Sequence, residues 1–300
     1  MLVLRTAVRK VERLAYSPDG TRLAINGDGW TQVFDIATGR DLRAIDGTGM
    51  AAMAFSADGE SLTLGALYRP VTAVHVSTGD CRTANDDASL GQVRLLPGGE
   101  AWISVGLYEV SRWRLGADGR QLNRNCSHTW GHVLHTEGLP RPCVTSLGRP
   151  LRVALIAATD RIAHHLYLLD GDTGELLSLH RCGYSSVEHF TGSPCGSYLV
   201  GVLQATLIVW DTAALHLPPQ RWANDSRKLF TGVAFHPHGR HLLTASNDKS
   251  VKLWDLTCGQ VVRSYDWSAG RMRSVAVAPD GLTAAAGSDE NLVVVFDLDL

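Results

Sequence analysis

Three features that recur in phase along the 300-residue sequence predict an all-β fold: a seven-bladed β-propeller of four-stranded antiparallel blades. The first feature is a large apolar residue followed by Asp at the end of a short β-branched run. The second is a turn of the Ser-Pro-Asp-Gly type that precedes this step. The third is a Thr-Gly or Cys-Gly turn that follows it. Successive steps are mostly about 40 residues apart, which is the length of a four-stranded blade.

The apolar-Asp step occurs about seven times, and its copies differ in strength. The strong copies are Trp254-Asp255, Trp210-Asp211, Phe34-Asp35 and Phe296-Asp297, and the looser ones are Leu169-Asp170, Val74-His75 and the stretch around Trp113. One copy per blade at this spacing predicts a ring of seven blades.

The two kinds of turn divide each unit into four short strands. Turns before the step occupy residues 17–20, 56–59, 97–99, 193–196, 236–239 and 278–281, and turns after it end at Gly39, Gly79, Gly174 and Gly259. Pro-x-Gly and Asp-Gly sequences reverse a chain between strands. No stretch sustains the 3.6-residue period of a helix, so helices should be nearly absent. A single four-stranded sheet cannot bury both of its faces, whereas stacking sheets around an axis covers them.

The two ends of the chain complement each other. The last unit stops after its third strand, at "NLVVVFDLDL", and the opening "MLVLRTAVR" reads as the missing fourth strand. A strand shared in this way would offset the entropy of closing the ring. We therefore expect one domain over residues 1–300, with 1–9 closing blade 7 and blades at approximately 10–47, 48–87, 88–125, 126–182, 183–224, 225–267 and 268–300.

With these markers in phase, the chain resembles the WD40-repeat family over nearly its whole length. In that family the N-terminal strand commonly completes the last blade. The resemblance also implies a structural role for Asp248, which matches a family aspartate that joins a histidine, a serine and a tryptophan in a hydrogen-bonded network. Ser246 and Trp254 match this pattern, but the sixth unit opens with "NDSRKLF" and has no histidine there. The network is therefore expected to be incomplete.

One region departs from the blade spacing. About 14 more residues than the period allows lie between Trp113 and Leu169, within 123–151. The prolines and glycines of this region predict either an extended loop or an irregular first strand of the fourth blade. His164 and His165 are expected in a turn of that blade.

The same region contains the sequence's closest approach to a metal site. The stretch "CSHTWGHVLH" holds the four candidate ligands Cys126, His128, His132 and His135. Thiolate and imidazole at this spacing can bind zinc or copper. Alternatively, the resemblance makes His132 a structural residue at the opening of a blade and leaves the others in loops. We favour that alternative and expect no metal and no cofactor.

Bulk properties exclude several classes of protein. The formal net charge of -2 gives no sequence-wide field that would favour nucleic acid. The six cysteines are scattered without a CxxC pair, so neither a disulfide scaffold nor a zinc ribbon is indicated. The N-terminus is too short and polar for a signal peptide, and no apolar run is long enough to span a bilayer. A cytoplasmic location without membrane association is expected.

Searches for catalytic signatures fail, so an enzyme is not expected. The sequence has no GxSxG elbow, no GxxxxGK phosphate loop and no HExxH. "GDGW" and "DGDTGE" lack the ligand spacing of an EF-hand and coincide with hairpin turns. The resemblance instead implies a scaffold that binds a protein or peptide partner at the propeller rim and the mouth of its channel.

Residues for such binding should lie on the rim shared by the blade-opening segments and the turns between second and third strands. They are Lys10, Glu12, Trp30, Tyr68, Arg69, Tyr108, Glu188, Asn247, Arg271, Arg273 and Asp289. Exposed Trp, Tyr and Arg are frequent interface anchors. Trp30 either faces a partner or packs on the neighbouring blade's loop. Arg271 and Arg273 either meet carboxylates or phosphates or belong to a solvated face.

Two alternative functions stay open at this point. A propeller-based enzyme, such as a metal-assisted hydrolase, would need Asp, Glu or His from several blades to converge on the axis, and stoichiometric metal in the purified protein would favour it. Binding of nucleic acid through arginine-rich patches would appear as salt-dependent retention on heparin or DNA. The near-neutral net charge argues against the second alternative.

Overall fold

The computed structural model describes most of the chain. The described residues are 1–47, 51–66, 71–83, 92–95, 101–105, 109–115, 122–129, 143–148, 150–158, 164–182 and 187–300. The predicted Tyr68, Arg69, Tyr108, His132 and His135 lie outside them.

The described residues form seven four-stranded antiparallel sheets. The first four, each from its innermost strand outward, are β2 Arg13–Tyr16, β3 Arg22–Gly27, β4 Trp30–Asp35, β5 Asp41–Ile45; β6 Ala51–Phe55, β7 Ser61–Ala66, β8 Thr72–His75, β9 Cys81–Thr83; β10 Gln92–Leu95, β11 Ala101–Val105, β12 Glu109–Leu115, β13 Leu122–Thr129; and β14 Cys143–Leu147, β15 Arg152–Ala158, β16 His164–Asp170, β17 Leu176–Arg181.

The other three sheets follow in chain order, and the last of them contains the N-terminal strand. They are β18 Phe190–Gly192, β19 Tyr198–Leu203, β20 Thr206–Asp211, β21 Gln220–Ala223; β22 Phe230–Phe235, β23 His241–Ser246, β24 Ser250–Asp255, β25 Gln260–Asp266; and β26 Met272–Val277, β27 Thr283–Ser288, β28 Leu292–Asp297, β1 Leu2–Arg5. In this part of the chain the helical element is one 3-10 turn, Thr212–Ala214. The predicted all-β class of four-stranded antiparallel sheets is confirmed.

The strand β1 is the outer strand of the seventh sheet. It runs antiparallel to β28, with Leu2 opposite Val295 and Arg5 opposite Leu292. Innermost strands contact one another in chain order from β2 to β26, and β26 in turn contacts β2. The two ends of the chain therefore meet in one sheet, beside the first.

The core consists of apolar layers between neighbouring sheets. Between the seventh and first sheets, Leu4, Val8 and Val11 pack with Leu23, Phe34 and residues of β27 and β28. Between the fifth and sixth sheets, Trp222 stacks on Trp254 with ring centroids 6.1 Å apart. Because each strand's apolar side chains face both neighbouring sheets, strands such as β24 are buried along their whole length.

Side-chain hydrogen bonds stabilise the Ser-Pro-Asp-Gly turns. In the first sheet, Ser17 Oγ donates to the Asp19 carboxylate at 2.6 Å, and Gly20 closes the turn at a φ of 76°. Ser56, Asp58 and Gly59 repeat the arrangement in the second sheet. A residue without a Cβ adopts this φ at the least cost, so the turn favours Gly at this position of the repeated motif.

Two placements expected from the sequence are wrong. His164 and His165 are the first residues of β16 rather than part of a turn, because the chain continues its pairing with β15 to Ala158. The strand β13 runs to Thr129, past the expected boundary at 125, so Cys126 and His128 belong to the third sheet rather than the fourth.

Candidate functional site

Connecting segments between sheets and turns between second and third strands lie at the same end of the strands. We call this end the upper rim; its described segments are 6–12, 28–29, 46–47, 187–189, 204–205, 224–229, 247–249, 267–271 and 289–291. The opposite end, the lower rim, holds the turns between first and second strands and between third and fourth strands. Backbone hydrogen bonds join upper-rim segments to each other, as from Asn247 N to Leu229 O at 3.0 Å.

Trp30 is held by a fixed backbone while its side chain remains exposed. It is the first residue of β4 rather than a turn tip, and 41% of its surface is accessible. The fully buried Asn26 donates to the Trp30 carbonyl at 3.1 Å and to Thr31 Oγ1 at 2.9 Å. Asp28 and Gly29 form the tight turn before it, both with positive φ. The indole is thus displayed from a backbone with little freedom to move.

Backbone hydrogen bonds join the seventh and first sheets on the upper rim. Val11 N donates to Ser288 O at 3.0 Å, and Asn291 N donates to Arg9 O at 3.3 Å. A Cβ on Gly27 would overlap the carbonyl oxygen of Lys10, so the segment before β2 passes directly over the end of β3. This segment, 6–12, ties the two sheets together on the upper rim.

Arg271 and Asp289 meet on the seventh sheet's part of the rim. Arg271 N donates to the Asp289 carboxylate at 2.9 Å, and Asp289 N donates to Arg271 O at 3.1 Å. The Arg271 side chain is exposed. These reciprocal bonds fix the backbone that carries the guanidinium.

The remaining predicted rim residues differ in exposure. Lys10 and Glu188 are exposed, while Glu12, Asn247 and Arg273 are half-buried. The Asn247 Oδ1 and Arg273 Nε atoms are buried and have no hydrogen-bond partner among the described residues. The described members of the predicted set therefore lie at the upper end of the strands. Asn247 and Arg273 each have a buried polar atom there.

The network around Asp248 contains no histidine, as the sequence indicates, but other polar side chains take its place. Asn224 lies where a histidine was sought, and its Nδ2 donates to Ser246 Oγ at 3.0 Å and to Asp248 at 3.3 Å. Ser226 and Ser250 each donate to the Asp248 carboxylate at 2.6 Å. The Trp254 indole donates instead to Thr244 Oγ1 at 3.0 Å, so Ser246 is not its partner.

A buried lysine completes this network. Lys252 is 6% exposed, donates to Asn224 Oδ1 at 2.7 Å and lies 3.4 Å from the Asp248 carboxylate. It also pairs with Asp225, a largely exposed residue of the loop 224–229. Burial by itself would raise the pKa of Asp248, but hydrogen bonds from Ser226 and Ser250, together with the Lys252 charge, hold that pKa well below its ordinary value. The network thereby anchors the loop 224–229 to the sheet below it.

The sequence pattern did not predict a role for Asn224 or Lys252, because the family network has a histidine in that place. A signal was present: a lysine in the middle of the buried strand "SVKLWD" needs a buried carboxylate or amide partner. Nothing in the sequence says which of the nearby polar residues would supply it.

Two of the four candidate metal ligands, Cys126 and His128, lie in β13. Over the described ranges, no group of three or more His, Cys, Asp or Glu side chains is arranged to hold a metal ion. The part of the chain that the structure describes also contains no helix with the length and apolarity to cross a membrane.

One segment of the chain matches a known family model. Residues 223–255 match the family model "WD domain, G-beta repeat". This segment runs from the end of β21 to the end of β24, so it includes both Asn224 and Lys252.

Relatives match a limited part of the chain. Cilia- and flagella-associated protein 52 of Sus scrofa is 29% identical over 93 residues, which is 31% of this chain and 14% of that protein. The COMPASS component SWD1 of Saccharomyces cerevisiae is 38% identical over 68 residues, 22% of this chain and 16% of that protein. These matches cover well under two thirds of the relatives' own length.

Among solved structures, a chain of Kuenenia stuttgartiensis hydrazine synthase has a similar fold. The TM-score is 0.76 and the match covers 99% of this chain and 97% of the other, at 16% sequence identity. At this identity the likeness extends to the fold alone.

Proposed function

This chain belongs to the WD40-repeat family, and from that premise we propose that it is a non-catalytic scaffold that binds a protein or peptide at its upper rim and channel mouth.

The observation that carries the proposal is the exposed indole of Trp30 on a backbone that Asn26 and the segment 6–12 hold in place. Tryptophan buries a large area on binding, and it is enriched among residues that dominate interface energies. A side chain displayed from a fixed backbone loses less conformational entropy when a partner covers it. Trp30 therefore has the properties of an interface anchor.

Arg271 supplies a second contact of different chemistry. Its backbone is fixed by Asp289, and its side chain is exposed on the sheet next to that of Trp30. Arginine presents a planar fork of donors that carboxylates accept in pairs. An apolar anchor beside a donor fork suits a protein surface with one apolar and one acidic residue.

The test is capture of partners by a double variant, Trp30→Ala with Arg271→Ala. We expect capture from native lysate, quantified by mass spectrometry, to fall at least about tenfold, since losing two interface anchors removes more than 1.4 kcal/mol. Thermal unfolding should be nearly unchanged, because both side chains are exposed.

A matched control lies on the lower rim. Leu282 is 68% exposed and Arg40 is exposed, so Leu282→Ala with Arg40→Ala removes the same two kinds of side chain from the opposite end. This control should capture partners like the wild type. Equal loss of capture in both variants, or unchanged capture by the first variant, would show that the partner binds at a different surface.

A further inference from the structure

We propose that the loop 224–229 and the turn 247–249 together form a binding surface for an acidic segment of a protein partner, through the exposed cations Arg227, Lys228 and Lys249. This inference rests on the proposed function and adds the chemistry of the partner. The surface lies on the upper rim at the sixth sheet and contains neither Trp30 nor Arg271.

Hydrogen bonds hold the loop and the turn against each other. Ser226 Oγ donates to the Asp248 carboxylate at 2.6 Å, and Asn247 N donates to Leu229 O at 3.0 Å. Asn224 Nδ2 also donates to the Asp248 carboxylate, at 3.3 Å. Because the contacts come from the start, the middle and the end of the loop, the two segments form one continuous surface.

The three cations are displayed from a fixed backbone. All three are exposed, and within the described ranges none of them forms an ion pair. Arg227 N donates to Asn224 O at 2.9 Å, and Lys228 O accepts from Asn224 Nδ2 at 2.8 Å. A loop that is already ordered loses less conformational entropy when a partner binds to it.

The carboxylates of the same two segments are neutralised from below. Asp225 and Asp248 both pair with the buried Lys252. Together with Lys252, the loop and the turn carry four cations against two carboxylates, so the surplus positive charge belongs to the exposed side chains. Carboxylates brought by a partner would form charge-assisted hydrogen bonds with these side chains.

Two of the cations occupy backbone positions that disfavour them. Arg227 has a φ of 57° and Lys249 a φ of 74°, where a side chain other than Asn or Asp incurs a steric cost. The residues equivalent to Lys249 are Asn291 in the seventh sheet, at 61°, and Gly29 in the first sheet, at 86°. Strain of this kind is concentrated at functional sites. The strain therefore favours a role for the charge of Lys249 rather than a role in shaping the turn.

An acidic protein segment suits this surface better than nucleic acid does. Leu229 follows the two cations of the loop and is 44% exposed, so an apolar contact lies beside the charges. Carboxylates occupy other turns of the upper rim, namely Asp289 and Glu290 of the seventh sheet and Asp28 of the first. A long polyanion laid across the rim would meet these carboxylates, whereas a short segment of Asp or Glu with one apolar residue would not.

The test measures binding to the full chain by fluorescence anisotropy with three labelled probes. They are a short peptide of glutamates around one leucine, the same peptide with glutamine in place of glutamate, and a single-stranded oligodeoxynucleotide with as many residues. We expect the glutamate peptide to bind at least about tenfold more tightly than the glutamine peptide, and more tightly than the oligonucleotide. Added salt should weaken its binding, because exposed charge pairs are screened.

A triple variant tests the three cations together. Arg227→Gln with Lys228→Gln and Lys249→Gln should weaken binding of the glutamate peptide about tenfold or more. The matched control removes the same number of exposed cations from the lower rim and from the outer strands β9 and β17, as Arg40→Gln with Arg82→Gln and Arg181→Gln. The control has the same net charge as the triple variant and should bind the peptide like the wild type.

The single variant Lys249→Asn separates binding from structure. Asparagine tolerates a positive φ, so this variant should unfold at the wild-type temperature or above it while binding the glutamate peptide more weakly than the wild type. A lysine that shaped the turn would give a lower unfolding temperature on this substitution, which would overturn the proposal.

Three other results would count against the surface: unchanged peptide affinity in the triple variant, equal loss in the triple variant and its control, or an oligonucleotide that binds as tightly as the glutamate peptide. The scaffold proposal is tested separately, through Trp30 and Arg271. Capture that needs those two residues, with peptide binding that ignores the three cations, would reject the acidic-segment surface alone. Peptide binding that needs the cations, with capture indifferent to Trp30 and Arg271, would reject only the two anchors.

Discussion

Substitution of Leu4 by Ala tests how the two ends of the chain are joined. Leu4 is 3% exposed and packs in the apolar layer between the seventh and first sheets, with Leu23 and Phe34 on the side of the first sheet. An added Cβ on Gly39 would lie 3.4 Å from Leu4 Cδ2, so the side chain reaches as far as the lower-rim turn of the first sheet. Leu4 thus links β1 to a sheet other than its own.

The expected loss follows from this burial. Leu→Ala substitutions in a closely packed core destabilise by about 2–5 kcal/mol, through lost transfer energy and the cavity left behind. Against a typical total of about 5–15 kcal/mol, such a loss is easily measured. Because the neighbours of Leu4 come from two sheets, the cavity has little means of collapsing, and we expect a value in the upper half of that range.

Val3 provides the matched control on the same strand. Its side chain points away from the core and is 48% exposed, so Val3→Ala should change stability by no more than about 0.5 kcal/mol. Urea unfolding followed by tryptophan fluorescence and circular dichroism measures both variants, and the slope against urea should stay constant. Equal effects of the two substitutions, or no effect of Leu4→Ala, would refute the packing of the Leu4 side chain between the seventh and first sheets.

Further substitutions test the charged network and the close contacts of the upper rim. Lys252→Met should lower the unfolding free energy by about 3 kcal/mol in a urea titration, because it leaves the Asp248 carboxylate buried without its cation. The control, Lys249→Met on the exposed turn nearby, should leave the unfolding free energy unchanged in the same titration. Since the folded-state pKa of Asp248 is depressed, its carboxylate contributes stability above about pH 4 that is lost as the pH falls. The unfolding free energy of the wild type should therefore fall more steeply between about pH 5 and pH 2 than that of Asp248→Asn, and parallel curves would contradict the assigned network. Gly27→Ala should destabilise by about 1–3 kcal/mol or more in the same urea titration, because its Cβ would overlap the Lys10 carbonyl oxygen. Gly29→Asn should be tolerated in thermal unfolding, because nothing lies within 4 Å of the added Cβ and Asn accepts a positive φ.

The repeated turn motif allowed the positions of the strands to be predicted from the sequence. Asp19 and Gly20 act within a few residues of each other, through a side-chain hydrogen bond and a left-handed φ, so the four-residue motif contains all the interactions that it needs. The fourth blade was harder to read, because the region around β13 and β14 lacks such a motif. There the sequence placed Cys126 in the fourth blade and His164 in a turn, and pairing between strands decides otherwise.

The candidate site was only partly predictable. Trp30, Lys10 and Arg271 follow from the order of turns, since a turn's place in the unit determines the rim on which it lies. Their degree of exposure does not follow from that order. The half-buried Arg273 lies in a bulge of β26, which the order of turns does not indicate.

The sequence by itself determined the all-β class, the four-strand unit and the residues of each rim, because short-range turn chemistry and the repeat period encode them. Only the tertiary structure decided that Asn224 and Lys252 join the network around Asp248. These contacts join residues that are 24 to 28 positions apart in the sequence. Their geometry is set by how the sheets pack around the axis, which local propensity does not specify.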